Sequence, residues 1–164
     1  MDLFLSFFKD AVCQHIPGRQ FDVQIMYTEK PEPDYVDACM LTCLQLHEDE
    51  DLEALDDKLG GVLVFLPGQE DIENLQILLE EHLPSSSLYR QSRIASGVNR
   101  AAVEQDYIVF PMYAALSPDE QLKAFTPAPN GVRKFILATN IAETSVTISG
   151  IKYGTKIFIS LLTL

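Results

Sequence analysis

The sequence predicts an α/β sandwich with a mostly parallel sheet, and three observations carry that expectation. Val62 to Leu66 is an uninterrupted apolar run of β-prone residues, closed by Pro67 and Gly68. Such a run suits a strand covered on both faces, as in parallel sheets. A helix stripe follows at once, formed by Ile72, Leu75, Leu79 and either His82 or Leu83, with Pro84 expected to stop it. Short strands then recur at Ile108–Phe110 and Phe135–Ala138, separated by the helical stretch "SPDEQLKAF". Strand, polar turn and helix stripe in repetition place helices over a common sheet.

The other elements follow in chain order. "MDLFLSFFKD" reads as an amphipathic helix rather than a targeting segment: it is short, lacks a basic n-region and meets Lys9 and Asp10. "FDVQIMY", Phe21 to Tyr27, alternates as a strand does, and "EKPEPDY" reads as a turn because two prolines oppose regular structure. Tyr35 to Leu46 has helical spacing, with Val36, Met40, Cys43 and Leu44 on one stripe. "HEDEDLEALDDKL", His47 to Leu59, reads as a solvated acidic connector. Asp49, Asp51, Asp56 and Asp57 could attract a hard cation, but the run lacks the Gly and terminal Glu of a calcium loop. Ser85, Ser86 and Ser87 favour a loop, and Arg90, Arg93 and Arg100 give local positive charge. Ser117, Pro118 and Glu120 form a strong helix start with a capping box. "TPAPNG" is a turn, and "VRKFILA" is the next strand. No repeat is visible, and no linker is long enough to require two domains.

Composition narrows the function. The chain has 164 residues, 47% of them hydrophobic, which fits a folded protein with one good core. Its formal net charge of -12 opposes a broad nucleic-acid surface while leaving room for a local strip. Cys13, Cys39 and Cys43 are odd in number and lack paired spacing, so buried free thiols and a reducing, intracellular setting are expected. No metal site is expected. No stretch approaches the length of a membrane helix, and no membrane partner is expected.

"FILATNIAETSVTISG", Phe135 to Gly150, begins as a buried strand and turns abruptly into small polar groups. Ligands of open parallel sheets gather beyond the carboxyl ends of strands. Thr139, Asn140, Ser145 and Thr147, with freed backbone N–H groups, could hold a phosphate there, or could simply end a strand in a capped turn. Arg133 and Lys134 read either as a solvated strand start or as a nucleic-acid contact. Phe125 reads as core from its place on an amphipathic helix. His15, His47 and His82 join no Ser–Asp or Cys–His arrangement; His82 reads as a partly buried helix residue. Gly60, Gly61 and Gly68 do not make a Gly-rich phosphate loop.

"LVFLPGQEDIE", "PMYAALSPDEQLKAF" and "RKFILATNIAETSVTISGIKY" occur in this order, preceded by "FFKDAVCQHIPGRQFDVQIMYTEKPEPDYVDA". Together they resemble the second RecA-like domain of DEAH-box RNA helicases of superfamily 2, over roughly Leu5 to Tyr153. The resemblance implies a RecA-like three-layer sandwich of the P-loop NTPase type. Residues 1–20 would be a lead-in from the interlobe region, and 21–164 the domain itself, with the match failing after 153. It implies the lobe of an ATP-dependent RNA helicase that grips RNA backbone and closes over bound nucleotide. Phe125 matches an aromatic that stacks on the nucleotide base. Ser145 and Thr147 match positions that couple nucleotide state to RNA grip. Arg133, Lys134 and Thr139 match RNA-backbone positions, and Gln69 and Glu70 would organise the RNA-facing loop. Glu143 matches a structural or coupling carboxylate.

Several family parts are missing from these residues. There is no Gly-Lys-Ser/Thr loop, no DEAH carboxylate motif and no downstream arginine-rich segment. Pro67 stands where the family more often has Thr or Ser. After "GIKYG" the chain reads "TKIFISLLTL" in place of a "VIDxG" continuation. A truncated or alternative product is therefore expected, with no complete catalytic set and no NTP turnover by itself. In an intact parent, ATP or another NTP with Mg2+ would be the cofactor, and the partners would be single-stranded RNA and the first RecA-like lobe. None is expected to bind this chain tightly alone. The other reading is a noncatalytic module that binds a helicase-associated protein or regulates a full-length helicase. The tail "KIFISLLTL" either adds a substitute strand, leaving the sheet otherwise incomplete, or stays exposed. The nucleus or the cytoplasm fits either reading.

Overall fold

The computed structural model describes residues 7–8, 14, 22–49, 60–95, 106–139 and 148–156, and at 49 and 88–95 it describes the backbone. Met1–Pro31 and Glu32–Leu164 form two compact units. In the second, the order is α1 (Tyr35–Asp49), β1 (Gly61–Phe65), α2 (Gln69–Ala95), β2 (Tyr107–Met112), α3 (Pro118–Lys123), β3 (Arg133–Ala138) and β4 (Ile151–Lys156). The four strands make one sheet in the order β2-β3-β1-β4, and every pairing is parallel. The expected strands Val62–Leu66, Ile108–Phe110 and Phe135–Ala138 thus share one sheet.

Strand alternation divides the core into two layers. Val62, Val64, Phe135 and Leu137 share one cluster with Cys39 and Cys43 of α1 and with Ile72, Leu75, Leu79 and Leu83 of α2. Ile136 and Ala138 share the other with Met112 and Ala124, joined by the half-buried Leu63, Phe65, Phe110 and Phe125. Both faces are therefore covered, one by α1 and α2 and the other by Ala124 and Phe125 at the end of α3 together with Ile148, and β3 is buried at every position. Among the described residues β2 is an edge strand, and that position tolerates Pro111, which has no N–H to give a neighbour. Gly61 has a steric reason to be glycine. A Cβ there would lie 3.0 Å from the Gly150 carbonyl oxygen, whose bond from Gly61 N–H joins the starts of β1 and β4.

Four expectations need correction. α2 does not stop at Pro84 but continues to Ala95. Proline removes one helical hydrogen bond, yet Ser86 and Ser87 beyond it are buried, and Ser87 is tied to β2 through Asp106. Packing outweighs the local break. On the same helix Leu83 is buried, whereas His82 is exposed. His47 does not open a solvated connector; it is fully buried at the end of α1. No strand forms over residues 22–28, and Val23, Ile25, Met26 and Tyr27 are all exposed. Alternation alone gives a strand no stability without a neighbour to accept its hydrogen bonds. The first helix, most of the acidic run and the tail beyond Lys156 lie outside the described residues.

The two thiols of α1 make a prediction. Burial raises Cys39 to about 11 and pushes Cys43 up further still. In the unfolded chain thiols ionise near about 8.5. Above that pH the unfolded state sheds protons that the folded state keeps, so stability falls as pH climbs toward the folded values. Tyr35, raised by its hydrogen bond to Asp71, and Tyr113, raised by burial, add losses of the same sign at higher pH. Lys134, lowered by burial, acts in the opposite sense. Urea midpoints measured from neutral to alkaline pH should decline, and Cys39→Ala with Cys43→Ala should flatten the decline. Identical slopes in parent and double variant would contradict this account.

Candidate functional site

The carboxyl ends of β1 and β3 are joined by the Leu66 N–H, which donates to the Ala138 carbonyl at 2.9 Å. The Thr139 N–H donates to Met112 at 3.2 Å, linking β3 to β2. Three adjacent strands thus end together, and the chain leaves β1 into Gly68, Gln69 and Glu70 at the start of α2. Gln69 and Glu70 are exposed. Gln69 donates from Nε2 to Glu73 Oε1 at 2.7 Å, and the same carboxylate oxygen accepts from the Tyr113 hydroxyl at 3.2 Å. This bridge ties the first turn of α2 to the residue after β2. Thr139 is 8% exposed, and its Oγ1 has no hydrogen-bond partner among the described residues. A hydroxyl left so at a strand end is a group a ligand or the adjoining loop can satisfy.

Phe125 follows α3 on the opposite face of the sheet. Ser117 caps that helix, its side chain accepting from Glu120 N–H while Glu120 reaches back to Ser117 N–H at 3.0 Å. The expected capping box is therefore formed. These bonds hold the Glu120 carboxyl below its ordinary range. Phe125 is half-buried against Met112, Ala124, Ile136 and Ala138. It has core contacts and remains partly open.

Arg133 and Lys134 are neither solvated flanks nor a surface strip. Arg133 has no exposed surface and donates from Nη1 to the Gly60 carbonyl at 2.8 Å, with its guanidinium carbon 6.0 Å from the centre of the Tyr153 ring. Lys134 is 3% exposed and donates from Nζ to the carbonyls of Ala124 at 3.0 Å and Thr126 at 3.1 Å. Alternation along β3 sends the two side chains to opposite faces, each toward carbonyl groups that a cation can satisfy. Ser145, Thr147, Asn140 and Glu143 lie outside the described residues.

A buried polar cluster was not anticipated. Ser87 donates to Asp106 Oδ1 at 2.5 Å, and His47 Nε2 lies 3.2 Å from Ser87 Oγ and 3.4 Å from Asp106 Oδ1. The His47 ring meets Tyr107 and Phe135 edge to face. It joins α1, α2 and β2 deep in the fold. Because Ser87 donates to the carboxylate and the cluster is buried, it is a structural tie rather than an activated nucleophile. The signal was present: Cys39, Cys43 and His47 recur every four residues, placing all three on one helix face.

The chain is 42% identical over 151 residues to the pre-mRNA-splicing factor ATP-dependent RNA helicase DEAH10 of Arabidopsis thaliana, covering 92% of the chain. It is 39% identical over 150 residues to the pre-mRNA-splicing factor ATP-dependent RNA helicase prp22 of Schizosaccharomyces pombe, again over 92% of the chain. The chain belongs to the DEAH-box helicase family. Two crystal structures of the Escherichia coli helicase HrpB agree, one described as a DExH-box NTPase and the other as a DEAH/RHA helicase. They superpose with TM-scores of 0.55 and 0.57, at 34% and 33% identity over 85% of the chain. The parallel sheet is thus that of a RecA-like helicase domain. No family model matches the chain. It spans only 18% and 11% of the two curated DEAH-box relatives and 14% of each HrpB chain. Among the described residues no group of three or more His, Cys, Asp or Glu could hold a metal, and no helix is long and apolar enough to cross a membrane.

Proposed function

We propose that this chain supplies the RNA-gripping and nucleotide-closing lobe of an ATP-dependent RNA helicase. The observation that carries the reading is the joined end of β1, β2 and β3, where exposed Gln69 and Glu70 lie beyond one strand and Thr139 ends another. In this reading Thr139 and Gln69 address the sugar-phosphate backbone, Glu70 orders the loop, and Phe125 supports the nucleotide base. Ser145 and Thr147 couple the two, residues 1–20 lead in from the preceding lobe, and 21–164 make up this one. When bound, ATP with Mg2+ supplies the energy of phosphoryl transfer, and a first RecA-like lobe contributes the metal and phosphate ligands. The chain's own part is to bind, orient and exclude water. Two relatives carry splicing-factor names, which favours a nuclear RNA.

Binding should be weak, largely independent of sequence and visible at low salt, because the net charge of -12 opposes it. Thr139→Val keeps the shape and removes the hydroxyl. Fluorescence anisotropy with two unrelated single strands should show both affinities falling by a similar factor. Unchanged binding by both Thr139→Val and Gln69→Ala would sink the RNA reading.

A noncatalytic partner-binding module is the second reading, favoured by the exposed Val23, Ile25, Met26 and Tyr27. ATP turnover on adding a first RecA-like lobe separates them: the helicase reading requires it, and the module reading does not.

A further inference from the structure

We infer that Lys134 is a positioning residue for the nucleotide-base platform: its buried amine clamps the backbone on both sides of Phe125. The inference rests on the proposed role of Phe125 and assigns Lys134 to the nucleotide side rather than the RNA side.

The geometry is specific. Lys134 Nζ donates to Ala124 and Thr126, the residues that bracket Phe125. Phe125 N–H donates to Leu122 at 3.1 Å, and Thr126 N–H to Lys123 at 3.1 Å. Ala124, the C-cap of α3, is itself fully buried. Carbonyls at a helix end lack intrahelical partners and favour a cation. The amine thus adds two bonds to the helix end, one on each side of the aromatic residue. Burying an ammonium is costly. Among the described residues, its only hydrogen bonds are to these neutral carbonyls. An apolar residue would fill the space without that cost, but would leave the Phe125 turn without the two bonds from the amine. The lever is also short: Ile136, two residues along β3 on the same face, belongs to the cluster against which the Phe125 ring rests.

The test uses the purified 164-residue chain and an adenine nucleotide carrying a ribose fluorophore. Lys134→Met should weaken nucleotide binding by roughly fivefold, the size of effect seen when residues of one network are uncoupled. Lys134→Arg, which can still donate to both carbonyls, should restore most of the affinity. Combining Lys134→Met with Phe125→Ala should be no worse than Phe125→Ala alone. Amide hydrogen exchange should speed up at residues 124–127 while β3 keeps its protection. Circular dichroism checks folding, and Lys134→Gln replaces the Met variant should that not fold. If Phe125→Ala weakens binding but the Lys134 variants leave binding and exchange unchanged, the inference fails and the base-platform reading stands. If the parent chain binds no nucleotide, or Phe125→Ala changes nothing, both fail. A Lys134→Met variant that loses RNA binding but keeps nucleotide binding also overturns the inference.

Discussion

Replacing Phe135 with alanine is expected to destabilise the chain by about 3–5 kcal/mol, enough to unfold much of a marginally stable domain. Phe135 has no exposed surface and lies on β3, which is flanked by β2 and β1. Its register partners are Val109 on one side and Val62 on the other. The ring also meets His47 at 6.0 Å between centroids. Neither neighbouring strand can move inward without breaking its pairing, and α1 and α2 close the same face, so the cavity would collapse only in part. Urea unfolding should show a lower midpoint with an unchanged slope. A loss below about 1 kcal/mol, the typical cost of an ordinary substitution, would mean that β3 is not the centre of the core.

Arg133→Ala is expected to be the second largest effect, about 3 kcal/mol, combining a lost charge-assisted hydrogen bond with a cavity. The side chain is fully buried and its Nη1 reaches Gly60, the residue before β1, across a long loop of sequence. Its removal should loosen the start of β1 and the contact with Tyr153 on β4. Arg133→Met, which keeps much of the volume, should recover part of the loss, because an apolar replacement avoids the cost of burying charge. An RNA-contact role predicts the reverse, with stability intact and RNA affinity lower. A folded Arg133→Ala variant with the parent's urea midpoint and weaker RNA binding would restore that role.

The sheet was legible because its signals are dense. Val62 to Leu66 and Phe135 to Ala138 are apolar on both faces, as a strand covered on both sides needs to be. Ser117, Pro118 and Glu120 were legible because a helix cap is local chemistry, independent of the rest of the fold. The errors came where distant packing decides. Pro84 carries a local stop signal, which the burial of Ser87 against Asp106 overrides. Arg133 and Lys134 look like a surface pair because charge normally seeks water; nothing local announces the carbonyls of Gly60, Ala124 and Thr126 waiting for them. The candidate site divides in the same way. Gln69, Glu70 and Thr139 could be placed at strand ends from the chain order alone. The internal roles of Arg133 and Lys134 required knowing which carbonyls end up without partners.

The strand order also constrains how the chain is made. Among the described residues, β1 pairs with β3 and β4 and with no earlier strand. Both partners lie downstream, the nearer about 70 residues away. At ribosomal speeds of about 5–20 residues per second, Val62 to Leu66 therefore waits at least several seconds after emergence before a described strand can pair with it, although α1 and α2 can already pack on one of its faces. An unpaired strand of that composition is a ready template for pairing with another nascent chain. Slowing translation between Phe65 and Arg133 should lower the soluble yield, and holdase chaperones that bind short apolar stretches should engage this segment before β3 emerges.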